Sequence, residues 1–169
     1  SRVFLERVDG EYQGACFSFR EGFASAVIRM DQGSDGGVFV GLSNRGWSSL
    51  GTASYGLQRL VWTGQTPFEI KEMRACSDGF ELVFTQPVDQ ASAGNVASYS
   101  MVSYTYNYHA TYGSDEIMKE TPVIEKATVS DDGLRVKLTV SGLRELFVHE
   151  LHADGVRGRD GQAILHPAA

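Results

Sequence analysis

Long apolar runs are missing from this sequence. The longest are short, as in Phe80–Phe84, far below the ~20 residues a membrane-spanning helix needs. Blocks of Lys and Arg are missing too. Fifteen basic residues stand against 21 acidic ones, for a net charge of −6. With no basic stripe to neutralise phosphates, nucleic acid is excluded as a partner, and so is a polybasic membrane contact. Proline is scarce at four residues, which excludes a polyproline linker. Cysteine is limited to Cys16 and Cys76, 60 positions apart. That spacing fits no zinc ribbon, CxxC redox pair or haem-attachment motif. The pair makes either one disulfide of a secreted protein or two buried small hydrophobes. The sequence opens on Ser1 without an initiator Met or a signal-peptide pattern. Either a targeting segment has been removed or the chain is a piece of something longer.

What is present is a folded β protein. Hydrophobic residues make up 42% and charged residues 21% of 169, ordinary values for one domain or two small ones. Helical periodicity is almost absent. Short alternating runs bounded by Gly, Asp, Asn and Ser recur every ~8–12 residues, the mark of an all-β chain. Val3–Val8, the Asp9-Gly10 turn and Tyr12–Phe19 predict a hairpin. Ala26–Met30, Val38–Leu42 and Leu57–Trp62 predict three more strands, with a Gly- and Ser-rich loop over 43–56. Thr63–Pro67 breaks the pattern and marks a boundary.

Beyond it, strands are predicted over Phe68–Ala75, Phe80–Phe84, Tyr99–Tyr108, Val123–Val129, Leu134–Val140, Phe147–Ala153 and Ala163–Leu165. One helical turn is expected within 87–98, and a polar loop over 109–120. About seven strands in roughly 100 residues is the count of an immunoglobulin-like sandwich. The first 67 residues are harder to close on themselves, because four or five strands with an apolar face need a partner sheet.

Particular motifs sharpen this picture. The stretches Asp9–Gly14, Phe17–Phe23, Asp35–Gly41, Asn44-Arg45-Gly46-Trp47 and Gly56–Leu60 together resemble the last blade of glucose/sorbosone dehydrogenase-like β-propellers. These occur in large secreted or periplasmic proteins of environmental bacteria. Residues 68–169 resemble bacterial Ig-like domains of the S-layer type, through Phe84–Asp89, Ala97-Ser98-Tyr99, Asp132-Gly133-Leu134 and His149–Val156 with Asp160-Gly161. His149 stands where that family has an aromatic residue. The resemblance implies an all-β fold: a propeller-blade-like antiparallel sheet over 1–67 and an Ig-like β-sandwich over 68–169. It also implies a secreted, periplasmic or cell-surface location. Propeller sugar dehydrogenases hold pyrroloquinoline quinone (PQQ) in a mouth built from several blades. One blade cannot supply that site, so the expectation is no cofactor in this chain and PQQ in a longer parent. The expected partners are the remaining propeller blades, and the chain would close and position the ring without itself being catalytic.

Candidate chemistry is thin. There is no G-x-S-x-G, and neither cysteine is flanked by basic residues that would activate it. Asp131-Asp132, Asp115-Glu116 and Asp154/Asp160 lie in turns, where carboxylates cap their own backbone. His149 and His152 sit three apart in a strand and point to opposite faces, so no metal site is expected. Alternation places His149 inward with Leu151 and Ala153, as a hydrogen-bonded core histidine. Two ligand-binding candidates remain. Asn44, Arg45 and Trp47 combine a guanidinium fork and an indole in one loop, suited to a carboxylated or planar ligand. Alternatively, Trp47 plugs a sheet edge and Arg45 bonds loop carbonyls. Tyr104, Tyr106 and Tyr108 are expected on one strand face, either as a carbohydrate-stacking platform or as a packing ladder. The first implies a second reading of function: an autonomous carbohydrate-binding or adhesion module.

Overall fold

The computed structural model describes residues 1–45 and 51–169. Among these described residues the fold is nearly all-β, with antiparallel sheets and none closed into a barrel. β1 (Arg2–Val8) and β2 (Glu11–Phe17) form the expected hairpin. Its turn residues Asp9 and Gly10 both take positive φ, 50° and 94°. That twist matches the flanking strands, which is why Asp-Gly is favoured there. β3 (Val27–Gln32), β4 (Val38–Ser43) and β5 (Tyr55–Leu60) form a three-stranded meander in sequence order.

Seven strands follow. They are β6 (Ile70–Cys76), β7 (Gly79–Phe84), β8 (Ser100–Tyr106), β9 (Glu116–Glu120), β10 (Val123–Val129), β11 (Arg135–Ser141) and β12 (Val148–His152). One sheet runs β10-β11-β7-β6 and the other β12-β8-β9. Between β7 and β8 sits one helical turn, α1 (Gln90–Ala93), capped by the Asp89 carboxylate, which accepts from the Ser92 N–H at 2.8 Å.

The two sheets enclose one core. Leu82 and Phe84 on β7, Val136, Leu138 and Val140 on β11, and Met101 and Leu151 from the other sheet are all buried. The period-2 pattern of β11 is met: Val136, Leu138 and Val140 point in while Arg135 and Lys137 point out. Two predicted elements differ. Residues 116–120, expected in a loop, form β9. Their Glu-Ile-Met-Lys-Glu sequence has no alternation to read, and pairing with β8 decides the conformation. The strand expected over 163–165 is instead a single bridge between Ala163 and Arg157. Residues 167–169 run beside β12, where Leu151 and Ala169 exchange N–H···O bonds of 2.8 and 2.9 Å.

The chain divides into two compact units, and they do not split at 67/68. One comprises Ser1–Phe19 with Pro67–Ala169, the other Arg20–Thr66. Residues 1–67 therefore do not form one blade-like sheet: β1–β2 and β3–β4–β5 are separate sheets. The reason is chemical. Phe17 is buried in the sandwich core with Phe68 and Ile70. The Arg2 guanidinium donates to the carbonyls of Ile70 and Lys71, each at 2.6 Å. The Gln13 amide oxygen accepts from the Ala75 N–H at 2.8 Å, and Arg74 pairs with Glu6 at 3.1 Å. Side chains of the hairpin thus satisfy the β6 edge, a site otherwise open to strand addition.

In the second unit, Val40 and Leu42 on the central strand are the buried large apolar residues among those described. Register places Val27 and Met30 on their face, and Phe39, Tyr55 and Leu57 on the other. These five remain exposed, with Met30 at 66%, Leu57 at 72% and Tyr55 at 80%.

Candidate functional site

The outward face of the β12-β8-β9 sheet carries a cluster of polar and aromatic side chains. β8 ends on Tyr106, and the register sets Tyr104 opposite Val148 on β12. The Tyr104 and Tyr106 rings meet edge to face, with centroids 5.5 Å apart and planes at 79°, a favoured aromatic geometry. Tyr104 is only 7% exposed, whereas Tyr106 is 49% exposed. The Tyr104 hydroxyl donates to Glu150 Oε2 at 3.1 Å. The other oxygen, Oε1, lies 2.8 Å from His152 Nε2. Lys119 on β9 completes the group and pairs with Glu116 at 2.6 Å.

Electrostatics follows from these contacts. The hydrogen bond from His152, then that from Tyr104, holds the Glu150 carboxyl below its ordinary range, so it is ionised at neutral pH. Burial, with help from Tyr106 and Glu150, pushes the Tyr104 phenol up, so it stays a neutral donor. Glu116 raises the Lys119 ammonium, keeping it charged. The patch thus offers a half-open aromatic ring, an ionised acceptor and a cationic donor within one sheet face.

The inner face of β12 has a different character. His149 packs against the Phe80 ring, with centroids 5.7 Å apart. Its Nδ1 faces the Phe147 carbonyl at 3.2 Å, and its Nε2 accepts from the Arg144 N–H at 3.2 Å. That pair of partners fits a neutral imidazole with the proton on Nδ1. Burial first, and then the Arg144 charge, lowers its pKa further. Arg144 itself is a cross-sheet clasp. It donates to Ser103 Oγ and to the Ser103 and Met118 carbonyls, pairs with Glu120 at 3.0 Å, and lies 3.8 Å over the Phe147 ring. His149 and Phe80 also line a cleft of about 890 Å³ that runs past Cys16 and Cys76.

Both cysteines are free. Cys16 is exposed and Cys76 partly buried, so neither the disulfide nor the pair of buried hydrophobes describes them. Gln13 is tied to Ala75, and β2 runs opposite to β6, so the thiols lie about four residues apart along the strands. That is on the order of 13 Å at strand rise, too far for a disulfide.

Among the sequence-predicted ligand residues, Tyr104 and Tyr106 are brought together. Tyr108 is not: β8 stops at Tyr106, and Tyr108 is fully exposed in the loop beyond. In the other candidate loop, Asn44 donates its N–H to Ser54 and Arg45 to Ser43 Oγ, with Arg45 exposed at φ 51°. Trp47 lies outside the described residues. Sequence reasoning missed Glu150, His152 and Lys119. The signal for the first two was available, since alternation from an inward His149 turns both outward. Lys119 was hidden in the segment read as a loop. Among the described residues, no group of three or more His, Cys, Asp or Glu gathers to hold a metal ion.

No family model matches the chain, and no curated protein matches it. Solved structures of the bacterial surface-layer protein SbsC do. The structure of its domains 1–6 shares 19% identity at a TM-score of 0.46, covering 62% of this chain and 13% of that one. The N-terminal part of the same protein gives 19% and 0.46, covering 61% and 22%. The chain thus spans less than a quarter of either, and a likeness this low carries no conclusion about what it does.

Proposed function

We propose that this chain is a non-catalytic part of a larger secreted, periplasmic or cell-surface protein, and that its 20–66 unit is a β-propeller blade completed by neighbours elsewhere in that protein. One observation carries the reading. The β3-β4-β5 meander holds apolar side chains on both faces, Val27 and Met30 on one and Phe39, Tyr55 and Leu57 on the other. An antiparallel sheet with one wet face is apolar on one side only. A blade inside a ring is covered on both. In its fuller form the parent is a propeller sugar dehydrogenase of the PQQ type. That form rests on the resemblance of the Asp35–Gly41 and Gly56–Leu60 segments, with PQQ and the reaction belonging to the other blades.

The 169-residue chain alone is expected to bind a hydrophobic dye and to self-associate with concentration in sedimentation. Met30→Ser and Leu57→Ser, one on each face, should each reduce both signals. A monomer that binds no dye would overturn the blade reading. Whole parent protein given PQQ, a dye acceptor and a panel of aldoses tests the dehydrogenase form; no turnover on any aldose would count against it.

A further inference from the structure

We propose that the outward face of the β12-β8-β9 sheet is a binding site for a neutral polysaccharide, with Tyr106 as the stacking ring and Glu150, His152 and Lys119 as the hydroxyl-binding groups. A pyranose presents two kinds of surface: an apolar face of axial C–H groups and a rim of hydroxyls. The first calls for a flat, fixed, exposed ring. Tyr106 is that ring, held edge-on by Tyr104 and half open to solvent. The second calls for acceptors and donors at one edge of the ring.

Glu150 supplies the acceptors. Each of its oxygens already takes one hydrogen bond, from Tyr104 and from His152, and a carboxylate oxygen has capacity for a second. Those two bonds also fix the carboxylate in place, so little side-chain freedom is lost on binding. Nε2 of His152 is engaged by Glu150, while its Nδ1 lies 4.0 Å from Asp154, beyond hydrogen-bond range, which leaves that nitrogen's hydrogen-bonding capacity for a sugar hydroxyl. Lys119 is the donor. Glu116 and Glu150 add negative charge to the patch, which disfavours acidic sugars and selects neutral ones.

The site is on a different unit from the blade-like sheet, so the two ideas stand or fall separately. Isothermal titration of the intact chain with xylohexaose, cellohexaose, mannohexaose and N-acetylchitohexaose tests it, with polygalacturonate as the acidic comparison. At least one neutral hexaose should bind. Tyr106→Ala should weaken it about tenfold, equivalent to about 1.4 kcal/mol, and Glu150→Gln should weaken it severalfold. Tyr12→Ala, an exposed tyrosine on β2 in a different sheet, should leave affinity unchanged. Circular dichroism melts confirm that each variant is folded. No heat with any neutral hexaose, binding that survives Tyr106→Ala, or a preference for polygalacturonate would each overturn the proposal.

Discussion

His149 occupies a position where an aromatic residue would pack, and it brings a titratable group with it. Its folded-state pKa lies below the ordinary value of 6.5 because it is partly buried and beside Arg144. As pH falls through 6.5, the unfolded chain takes up this proton before the folded one does. Stability from this residue is therefore full above 6.5 and lost as pH falls toward and through the lowered value. His149→Phe removes that dependence. It also leaves the Arg144 N–H without its acceptor, at a cost of roughly 1–3 kcal/mol. Urea unfolding at a series of pH values should give a variant that is less stable at pH 8 but closes on the parent by pH 5. Parallel curves would show that the imidazole is not the source. The inward placement of His149 was legible from alternation with Leu151 and Ala153. Its hydrogen bonds were not, because both partners lie in the preceding turn, which has no pattern of its own.

At the level of elements, turns were the best-read features. Asp9-Gly10, Ser77-Asp78-Gly79 and Asp131-Asp132-Gly133 each reverse the chain where expected. Their dipeptides specify backbone angles locally, without help from the rest of the fold. Gly79 has a further constraint. Its φ is 151°, and an added Cβ would fall 1.9 Å from the Leu138 carbonyl oxygen on β11. At Gly161, φ is 85° and nothing lies within 4 Å. Gly161→Ala should cost only the backbone strain, about 1 kcal/mol. Gly79→Ala must also push β7 and β11 apart and should cost upwards of about 2 kcal/mol. Denaturant midpoints of the two variants compare them directly, and equal midpoints would contradict this packing. β9 shows the opposite case. It is a strand because β8 offers a ladder to it, and no property of its five residues announces that.

Across the whole molecule, the sandwich unit is discontinuous in sequence. The chain leaves it after Phe19 and returns at Pro67, and both residues line one pocket of about 420 Å³ with Arg2, Phe4 and Glu69. Chain ends that meet this closely tolerate exchange of what lies between them. Replacing 20–66 with a short Gly-Ser linker should leave one cooperative melt, shifted by no more than ~4 °C, the equivalent of about 1 kcal/mol. A broad, non-cooperative melt would show that the sandwich depends on the inserted segment. The crossings fall at 19/20 and 66/67; the first lies inside the 1–67 segment that the sequence presents as continuous, because Phe17 and Phe19 carry no local signal of which unit they join.

Composition, alternation and turn dipeptides determined that this chain is all-β, where most of its strands lie and which way β7, β11 and β12 face. Those are properties of neighbouring residues, and a sequence records neighbours. The tertiary structure alone decided that the first hairpin belongs to the sandwich and that a loop-like segment is an edge strand. It also decided that Glu150, His152 and Lys119 join Tyr104 and Tyr106 on one surface. Each of those depends on contacts between residues far apart in the chain, such as Arg2 with Ile70 or Tyr104 with Glu150. Burial and pairing across such distances leave no periodic trace in either partner.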